Sequence, residues 1–302
     1  MSYVVLDLEW NGAYSKVLHK YVNEIIEFGA VKTDDNFNII DKFSVLIKPQ
    51  IGKRLCNKVK ELTKITIEEL KDSDTTFLQA ISKFTKFSSD SVLLTWGTSD
   101  ILALIENYSY YTGENKLPFL SKYCNMQEYC ENCLDLHNPS AQLGLSPCAE
   151  MLGIEFSEDE HHRAFADAEI SLKCLTHFVN DYPINPYIVN ADCKSFYDKM
   201  LFKVHYITNI QSPDIDKSQL KFNCDNCGTR ASRISKWKVH NKSFSADFCC
   251  SDCGKKFLGR VSFKKRYDSV LVKKKIVVPK PKEDNKEVPD DRTNDSSQEI
   301  RA

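Results

Sequence analysis

The segment YVVLDLEW, residues 3–10, places two acidic residues inside an otherwise apolar strand. Such a composition predicts a strand that is buried on both faces, as in sheets covered by helices. Asp7 and Glu9 are two positions apart, so both carboxylates project from the same face. Like charges held there are unfavourable unless a cation neutralises them. The alternative is an exposed strand end, which the apolar neighbours of both acids disfavour.

The pattern of residues 1–181 predicts an α/β domain with a mixed five-stranded sheet flanked by helices. Three segments with strand character come first, and later apolar segments alternate with segments of helical periodicity. Thr98 or Ser99 is expected to cap one helix, and Gly113 to end it. The predicted strands are 3–10, 23–33, 38–49, 91–97 and 122–128, and the predicted helices lie within 63–88, 98–113, 146–154 and 162–179.

Proline content and charge divide the remaining chain. Residues 221–275 contain fifteen Lys or Arg and four Asp or Glu in a chain of net charge −1, which indicates a basic module on an acidic body. A basic module favours a polyanionic partner. The predicted segments after the α/β domain are a partly structured connector at 182–219, a small β-rich module at 220–272 and a disordered tail at 273–302.

The beginning of the sequence lacks a basic stretch, and charged residues interrupt its apolar run, so we expect no signal peptide. No apolar run reaches the roughly 18 residues of a transmembrane helix. We therefore expect a cytoplasmic protein without a membrane partner. In that reducing compartment, regular spacing among the twelve cysteines favours metal binding over disulfides.

Two CxxCG motifs, separated by 22 residues, predict a structural zinc site. Four thiolates form a closed tetrahedral site, and the ion would supply much of the folding energy of so small a module. The repeated spacing is typical of a zinc ribbon. The predicted ligands are Cys224, Cys227, Cys250 and Cys253.

Other cysteines fit this pattern less well. Cys249 adjoins Cys250, but the CxxC spacing selects Cys250. Cys130 and Cys133 form another CxxC with His137 nearby, yet an obvious fourth ligand is missing, so we interpret them as buried or incidental thiols.

Basic and aromatic residues are interleaved in SRISKWKVHNKSF and KKFLGRVSFKKRYDSV, residues 232–244 and 255–270. Lys and Arg for phosphates, with aromatic rings for stacking, favour binding of single-stranded nucleic acid. Alternatively the aromatic residues form the core of the module and the charges only solvate it. The residues concerned are Trp237, Phe257, Phe263 and Tyr267.

Two further acids are candidates for the site of Asp7 and Glu9. Asp100 follows the fourth strand, at a turn where α/β proteins place ligand-binding groups, although it can equally complement a helix dipole. Asp167 has alanine neighbours that let its helix approach the sheet, and a solvent-facing position is the alternative. Four carboxylates would select Mg²⁺ or Mn²⁺. Two such ions about 4 Å apart can activate water and stabilise the leaving oxygen of a phosphodiester.

The segment SEDEHHRAFADAE places His161 and His162 near the start of the last helix, one to two turns from Asp167. A histidine beside the carboxylates could accept a proton from water. Helical geometry does not choose between the two histidines.

Three motifs, DLE, WGTSD and HRAFADA, together resemble the DEDDh, or DnaQ-like, 3'–5' exonucleases over about residues 1–180. NEIIEFGAV and TKIT also resemble that family, and DLEWN and YCNMQE are most similar to its sporulation-inhibitor and RNA-interference-enhancer type members. The resemblance implies an RNase H-like fold. It also implies release of nucleoside 5'-monophosphates from single-stranded 3' ends by a mechanism that uses two divalent ions.

The resemblance further implies a role for each candidate residue. Asp7, Glu9 and Asp167 would bind the tighter ion, with Asp7 bridging to a second ion held by Asp100. His162, five residues before the last aspartate, would be the general base. Contacts to the 3'-terminal nucleotide would come from Leu8, Trp10 and Asn11.

The resemblance alone favours RNA over DNA, since the choice depends on whether the pocket engages a 2'-hydroxyl. A DNA-directed exonuclease in proofreading or repair is one alternative. A non-catalytic adaptor that binds nucleic acid is another, disfavoured because all five site positions carry the required residue type.

Overall fold

The computed structural model describes residues 1–136, 142–156 and 162–277. The chain forms two compact units, the first from Met1 to Leu201 and the second from Phe202 onward. This boundary divides the predicted connector between the two units. Its first part belongs to the first unit because Phe196 and Tyr197 are buried in the core there.

The first unit has the predicted mixed α/β architecture. All five predicted strands are present, and a two-residue sixth strand from the connector extends the sheet. The strands are β1 (Ser2–Ser15), β2 (Lys20–Thr33), β3 (Ile39–Leu46), β4 (Ser91–Thr95), β5 (Lys122–Asn125) and β6 (Val189–Asn190). The helices are α1 (Asn57–Thr63), α2 (Ile67–Asp72), α3 (Phe77–Phe87), α4 (Ser99–Thr112), α5 (Met126–Cys133), α6 (Leu145–Met151), α7 (Ala164–Phe178) and α8 (Lys194–Met200).

Strand β1 lies inside the sheet, whose order is β3-β2-β1-β4-β5-β6. It pairs antiparallel with β2 and parallel with β4. Its even-numbered residues, such as Val4 and Leu6, pack in a cluster with α3, α4 and α8. Its odd-numbered residues Tyr3 and Val5 pack in a cluster with α5, α6 and α7. Because side chains alternate along a strand, Asp7 lies on the same face as α7.

Local hydrogen bonds explain two differences from the predicted elements. The predicted helical region 63–88 contains two helices, each restarted by a capping box, Thr66 with Glu69 and Thr76 with Gln79. The predicted fifth strand ends at Asn125, whose side chain accepts a hydrogen bond from the amide of Glu128 and caps α5.

The second unit contains an antiparallel sheet with the path β12-β11-β10-β8, to which β7 and β9 add at β11 and β10. Strand β12 pairs with β11 along its length, and therefore residues 273–277 form a strand where a tail was predicted. The predicted tail from residue 278 lies outside the described residues. The strands are β7 (His205–Tyr206), β8 (Ala231–Arg233), β9 (Lys238–His240), β10 (Ser243–Cys250), β11 (Lys256–Lys265) and β12 (Val270–Val277).

In the described parts of both units, no helix combines the length and apolar character needed to cross a membrane.

Candidate functional site

Helix α7 contacts the sheet at Gly29, which pairs with Asp7 across β1 and β2. A Cβ atom at Gly29 would overlap backbone atoms of Ala164 and Phe165. Glycine is therefore required where the helix meets the strand. This approach brings the first turn of α7, which carries Asp167, towards Asp7 and Glu9.

An ion pair between a buried glutamate and a partly exposed arginine fixes the start of the same helix. Glu27, 1% exposed, lies opposite Glu9 on β2. It accepts hydrogen bonds from Arg163 Nη2 at 2.7 Å and from Arg163 Nε at 3.1 and 3.2 Å. The backbone amide of Ala164, the first residue of α7, also donates to Glu27, at 3.2 Å. A carboxylate suits this helix N-terminus, and it engages the Arg163 guanidinium in a fork of hydrogen bonds.

Three carboxylates converge on one point of the resulting cleft. One oxygen each from Asp7, Glu9 and Asp167 lie within 4.8 Å of one another. Asp100, in the first turn of α4, is 4% exposed and accepts a hydrogen bond from the backbone amide of Leu8 at 3.1 Å. All four acids line the same cleft of about 330 Å³. The structure thus brings together acids that are far apart in the sequence.

Burial and mutual repulsion disfavour the charged forms of these acids. Burial, followed by the charges of Asp100 and Asp167, raises the pKa of Asp7 well above its usual value. Burial and the charge of Asp167 raise the pKa of Glu9 to about 8. Burial raises the pKa of Asp100 to about 7, although the Leu8 amide acts in the opposite direction. Protons therefore neutralise part of the cluster when no cation does so.

The donor set fits hard divalent cations. Carboxylate oxygens are the side-chain ligands that Mg²⁺ and Mn²⁺ prefer, and three of them lie close enough to share an ion. Among the described residues, the cleft is lined by four carboxylates and by no Lys or Arg. A bound cation would supply the positive charge that the site otherwise lacks.

His162 lines the cleft just before the start of α7, not within the helix. Its φ of 70° is in the left-handed region, which non-glycine residues adopt rarely and often at functional sites. His161, its neighbour in the sequence, lies outside the described residues.

The three residues predicted to contact the terminal nucleotide have different positions. Trp10 lines the cleft, and so does Leu8, although its side chain is buried in the core. Asn11 is 2% exposed, and its amide is engaged by backbone groups of the loop before α1. Its Nδ2 donates to the Arg54 carbonyl at 3.0 Å, and its Oδ1 accepts from the Cys56 amide at 2.9 Å. Asn11 thus holds this loop to β1.

Other residues of the site were not predicted. Glu27 and Gly29 lie in NEIIEFGAV, but their roles depend on α7, which is more than 130 positions away. Trp96 and Ser99 line the cleft from the strand-to-helix turn, and the Trp96 indole donates to the Leu143 carbonyl at 3.0 Å. The cleft also includes two residues of α6 without any recognisable sequence signal, Leu145 and Ser146.

The cysteine cluster in the second unit has the geometry expected of a four-sulfur site. Its sulfur atoms are separated by 3.6 Å for Cys224 and Cys253, 3.4 Å for Cys227 and Cys250, and 3.7 Å for Cys227 and Cys253. Zn–S bonds of about 2.3 Å give tetrahedral S–S separations of about 3.8 Å, whereas a disulfide measures about 2.0 Å. The four residues therefore fit zinc.

Each CxxC pair in this cluster forms the same turn. Gly228 and Gly254 have φ values of 74° and 71°, in the region that favours glycine. Their amides donate back to the carbonyls of Cys224 and Cys250 at 2.9 and 3.1 Å. The duplicated CxxCG sequence therefore encodes two equivalent turns that present thiols to a common point.

The remaining cysteine predictions concern residues outside this cluster. Cys249 is not among the four clustered residues. Cys130 is buried in the same apolar cluster as Cys148 and Cys174. A hydrogen bond to Cys148, together with burial, raises the pKa of the Cys130 thiol. Within the described residues, neither Cys130 nor Cys133 belongs to a metal-binding group, and His137 lies outside them.

Most of the aromatic residues of the basic module pack inside it. Phe257 and Phe263 are 1% and 0% exposed in its core, and Trp237 packs partly buried against Phe248. Tyr267 remains 37% exposed. The interpretation in which the aromatic residues form the core is therefore correct for the two phenylalanines.

Comparison with known protein families identifies the first unit. The family model RNase_T, described as Exonuclease, matches residues 4–175, which is more than half of the chain. The chain belongs to the exonuclease family. The matched region includes every residue of the carboxylate cleft. No match was found among curated proteins.

Solved structures share the fold of this exonuclease at low sequence identity. A 3'-exonuclease described as recognising the 3' end of histone mRNA stem-loop is 21% identical with a TM-score of 0.51, and the match covers 60% of this chain and 83% of that one. A full-length 3'-exonuclease is 22% identical with a TM-score of 0.50, covering 60% of each chain. E. coli Exonuclease I in complex with a dA16 oligonucleotide is 14% identical with a TM-score of 0.50, covering 82% of this chain and 54% of that one.

Proposed function

We propose that this exonuclease is a divalent-metal-dependent 3'–5' exoribonuclease that removes nucleoside 5'-monophosphates from single-stranded 3' ends. The observation that supports the proposal most is the convergence of Asp7, Glu9 and Asp167, with Asp100 beside them, inside the region matched by the family. Such a site favours bound cations, and cations held by carboxylates are suited to phosphodiester hydrolysis.

The proposed roles follow the position of each side chain. Asp7, Glu9 and Asp167 would hold one Mg²⁺ or Mn²⁺, and Asp7 and Asp100 would hold a second. When bound, two such ions activate the attacking water and stabilise charge on the leaving oxygen. His162, at the rim of the same cleft, accepts the proton of that water.

Two tryptophans give the cleft apolar surfaces next to the carboxylates. Trp10 and Trp96 line it together with Leu145. Aromatic rings in such positions stack on bases without regard to their identity. We propose that they hold the terminal base and that Leu8 contributes its backbone, whereas Asn11 positions the neighbouring loop.

The first unit is proposed to be the catalytic domain, with the segment predicted at 1–181 extended to Leu201 by the packed part of the connector. The second unit is proposed to bind one structural Zn²⁺ through Cys224, Cys227, Cys250 and Cys253, as a zinc ribbon. The DEDDh assignment and the cytoplasmic location remain part of this proposal.

RNA is preferred as substrate because of the sequence resemblance to the RNA-interference-enhancer type enzymes and the fold similarity to the histone mRNA 3'-exonuclease. The second candidate is a DNA-directed 3'–5' exonuclease, which the fold similarity to Exonuclease I supports. A non-catalytic adaptor is disfavoured, because four carboxylates and a histidine all line one cleft.

A cleavage assay with 5'-labelled single-stranded RNA and DNA of one sequence tests the proposal. With Mg²⁺ or Mn²⁺, the wild-type protein should shorten the labelled RNA stepwise, faster than DNA. A labelled mononucleotide as first product would indicate the opposite polarity. Asp167→Asn should lower turnover by about a thousandfold, or roughly 4 kcal/mol. Asp74→Asn, a change at an exposed acid, is the control.

The same assay tests the general base. His162→Asn should reduce turnover by about 10²- to 10⁴-fold, because the proton acceptor is removed. His161→Asn has the same chemistry one position away and should keep near wild-type turnover. Equal losses in both variants would contradict the role of His162.

A further inference from the structure

The sheet of the second unit has one apolar and one basic face. Along β10 and β11, Phe244, Ala246, Val261 and Phe263 are buried, whereas the residues between them point to the opposite side. We call that opposite side the basic face. Its cationic residues are Lys238, His240, Lys256, Arg260, Lys264, Lys273 and Lys275.

Strand register arranges most of these residues in two rows across four strands. In one row Lys238 pairs with Ser245, Ser245 with Arg260, and Arg260 with Lys275. The neighbouring row begins at His240 and ends with Lys273, with serines at positions 243 and 262 between them. Because adjacent strands lie about 4.8 Å apart, a row spans about 14 Å. The middle positions of the rows are occupied by three small serines, at 243, 245 and 262, and by Arg260.

The cations of this face are available to a ligand. Lys238, His240, Arg260, Lys273 and Lys275 are exposed. Within the described residues, the ion pairs of this unit involve other lysines, Lys255 and Lys265, and none includes a residue of the basic face. Among the paired strand residues that the structure describes, the acid on this face is Asp247, opposite Leu258. The face is therefore a concentration of positive charge for which the described part of the chain provides no ion-pair partner.

We infer that the basic face binds the phosphate backbone of single-stranded nucleic acid. Charge complementarity selects a polyanion, and the two rows of cationic and serine side chains fit an extended chain. The phenylalanines that could have stacked on bases are buried on the other side of the sheet. Tyr206, which pairs with Lys264, is an aromatic ring on the basic face itself, and the Lys264 ammonium lies 6.0 Å from the centre of that ring. Binding consequently depends mainly on phosphates, which makes it largely independent of base and sugar and strongly dependent on salt.

This inference rests on the proposed function in one respect, namely that the nucleic acid bound is the substrate. The face then raises substrate affinity without taking part in the chemistry. RNA and DNA would bind to it equally, so any preference between them must come from the catalytic cleft.

Binding measurements on the full-length protein test the inference. The probes are fluorescein-labelled oligo-uridine RNA and oligo-thymidine DNA of about 20 nucleotides, longer than the roughly 4–16 that a small domain covers. An Asp167→Asn background prevents cleavage, and anisotropy is recorded over a range of NaCl concentrations. The test variant combines Lys238→Gln, Arg260→Gln and Lys275→Gln. The control combines Lys217→Gln, Lys221→Gln and Arg230→Gln, which removes the same charge from exposed positions outside the face.

The test variant should bind both probes at least tenfold more weakly, and the slope of log affinity against log salt should fall by about 2, since each phosphate contact on a single strand contributes about 0.7. The control should bind as the parent does. Equal weakening in both variants would show that binding depends only on net charge and would overturn the inference. Unchanged binding in the test variant would also overturn it and would indicate that this face binds a protein partner instead.

Failure of the inference can be distinguished from failure of the proposed function. With an intact Asp167, the test variant should show a raised KM for the RNA at unchanged kcat. If the wild-type enzyme is active but the test variant has the same KM and affinity, the role of the basic face would be contradicted and the proposed function would stand. If the wild-type protein has no nuclease activity but the test variant still loses affinity, nucleic-acid binding by the basic face would be supported and the proposed catalysis contradicted.

Discussion

The two candidate cation sites are built in opposite ways. The cysteine site consists of two short turns, each of which fixes two ligands within four residues, and only 22 residues separate the pairs. The carboxylate site draws Asp7, Asp100 and Asp167 from three elements spread over the first unit. Local turns define the first site, whereas the second exists only when the sheet and its helices have packed.

The two sites also differ in how their surroundings act on the protonation of the ligands. In the cysteine site, the backbone amide of Lys255 is the main cause that lowers the pKa of Cys253 to about 7. The amides of Cys253 and Asp252 likewise favour the thiolate of Cys250, although burial and the neighbouring thiols raise the pKa of Cys250 to about 11. Backbone amides thus act towards the thiolates that a metal requires. In the carboxylate site, burial raises the pKa of Glu9 to about 8 and so disfavours the charged ligand. Metal binding at the carboxylates must therefore displace protons.

The difference also concerns what holds each unit together. The first unit has two extensive apolar clusters, one on either side of its sheet, which do not depend on a cation. The second unit has a smaller core that includes Cys224 and Cys250 themselves. We therefore expect that metal stabilises the fold at the cysteines, and that at the carboxylates it enables chemistry while the fold persists without it.

The largest expected effect is the loss of the second unit when a cysteine ligand is removed. Cys250→Ser should abolish its cooperative unfolding transition, because zinc bound to structural sites contributes on the order of 10 kcal/mol to folding. The transition of the first unit should remain. Calorimetry of the full chain and its zinc content, measured by mass spectrometry, check the prediction.

The neighbouring Cys249→Ser is the matched control, since it makes the same chemical change outside the cluster. It should retain bound zinc and both transitions. Zinc retained in Cys250→Ser, or lost equally in both variants, would contradict the assignment of the ligands.

The two sites also differ in how far the sequence predicts them. The CxxCG spacing specifies the cysteine ligands and their glycine turns, because all the necessary geometry is local. The alternation of β1 predicts that Asp7 and Glu9 share a face, and the alanines beside Asp167 suggest a close helix. The face that α7 covers, and the atoms that hold it there, depend on long-range packing and could not be deduced from one strand or helix.

Gly29 and Glu27 show this limit most clearly. Both lie in a segment that reads as an ordinary buried strand, and neither carries a local signal for its contact with α7. Asn125 shows the same limit at smaller scale, since a side chain that caps α5 ended a strand that the apolar pattern extended to residue 128.

A smaller expected effect, confined to the carboxylate site, comes from Gly29→Ala. The added Cβ would overlap the backbone of Ala164 and Phe165, so α7 must shift outward. We expect destabilisation of about 3 kcal/mol, as for other overpacked sites. Because Asp167 moves with the helix, the Mn²⁺ concentration needed for half-maximal activity should also rise. Denaturant unfolding and metal titration of activity measure the two effects.

Gly12→Ala is the control in the same pair of strands, since a Cβ there meets no atom within 4 Å. It should change neither stability nor metal dependence appreciably. Full stability in Gly29→Ala would contradict the close contact. Loss of stability with unchanged metal dependence would show that the contact supports the fold without positioning Asp167.

The smallest expected effect is a pH dependence that only the carboxylate site should show. The pKa of a glutamate carboxyl group is 4.5 when it is free in water, as in the unfolded chain, and the pKa of Glu9 is about 8 in the folded protein. Between these values the folded state binds more protons than the unfolded state, so the free energy of unfolding should fall as pH rises. Glu9→Gln removes this group, and its advantage in melting temperature over the wild type should therefore grow from pH 5 towards pH 8.

The measurement requires thermal unfolding of the first unit in buffer without added Mg²⁺ or Mn²⁺, and without a chelator that would strip the cysteine site. Glu114→Gln, at an exposed loop position, should follow the wild type at every pH. Adding Mn²⁺ should raise the melting temperature of the wild type at pH 8 by more than that of Glu9→Gln, since the ion replaces the lost protons. A constant difference between wild type and Glu9→Gln across this range would mean that the Glu9 carboxylate ionises as freely in the folded protein as in the unfolded one, and the contrast with the cysteine site would not hold.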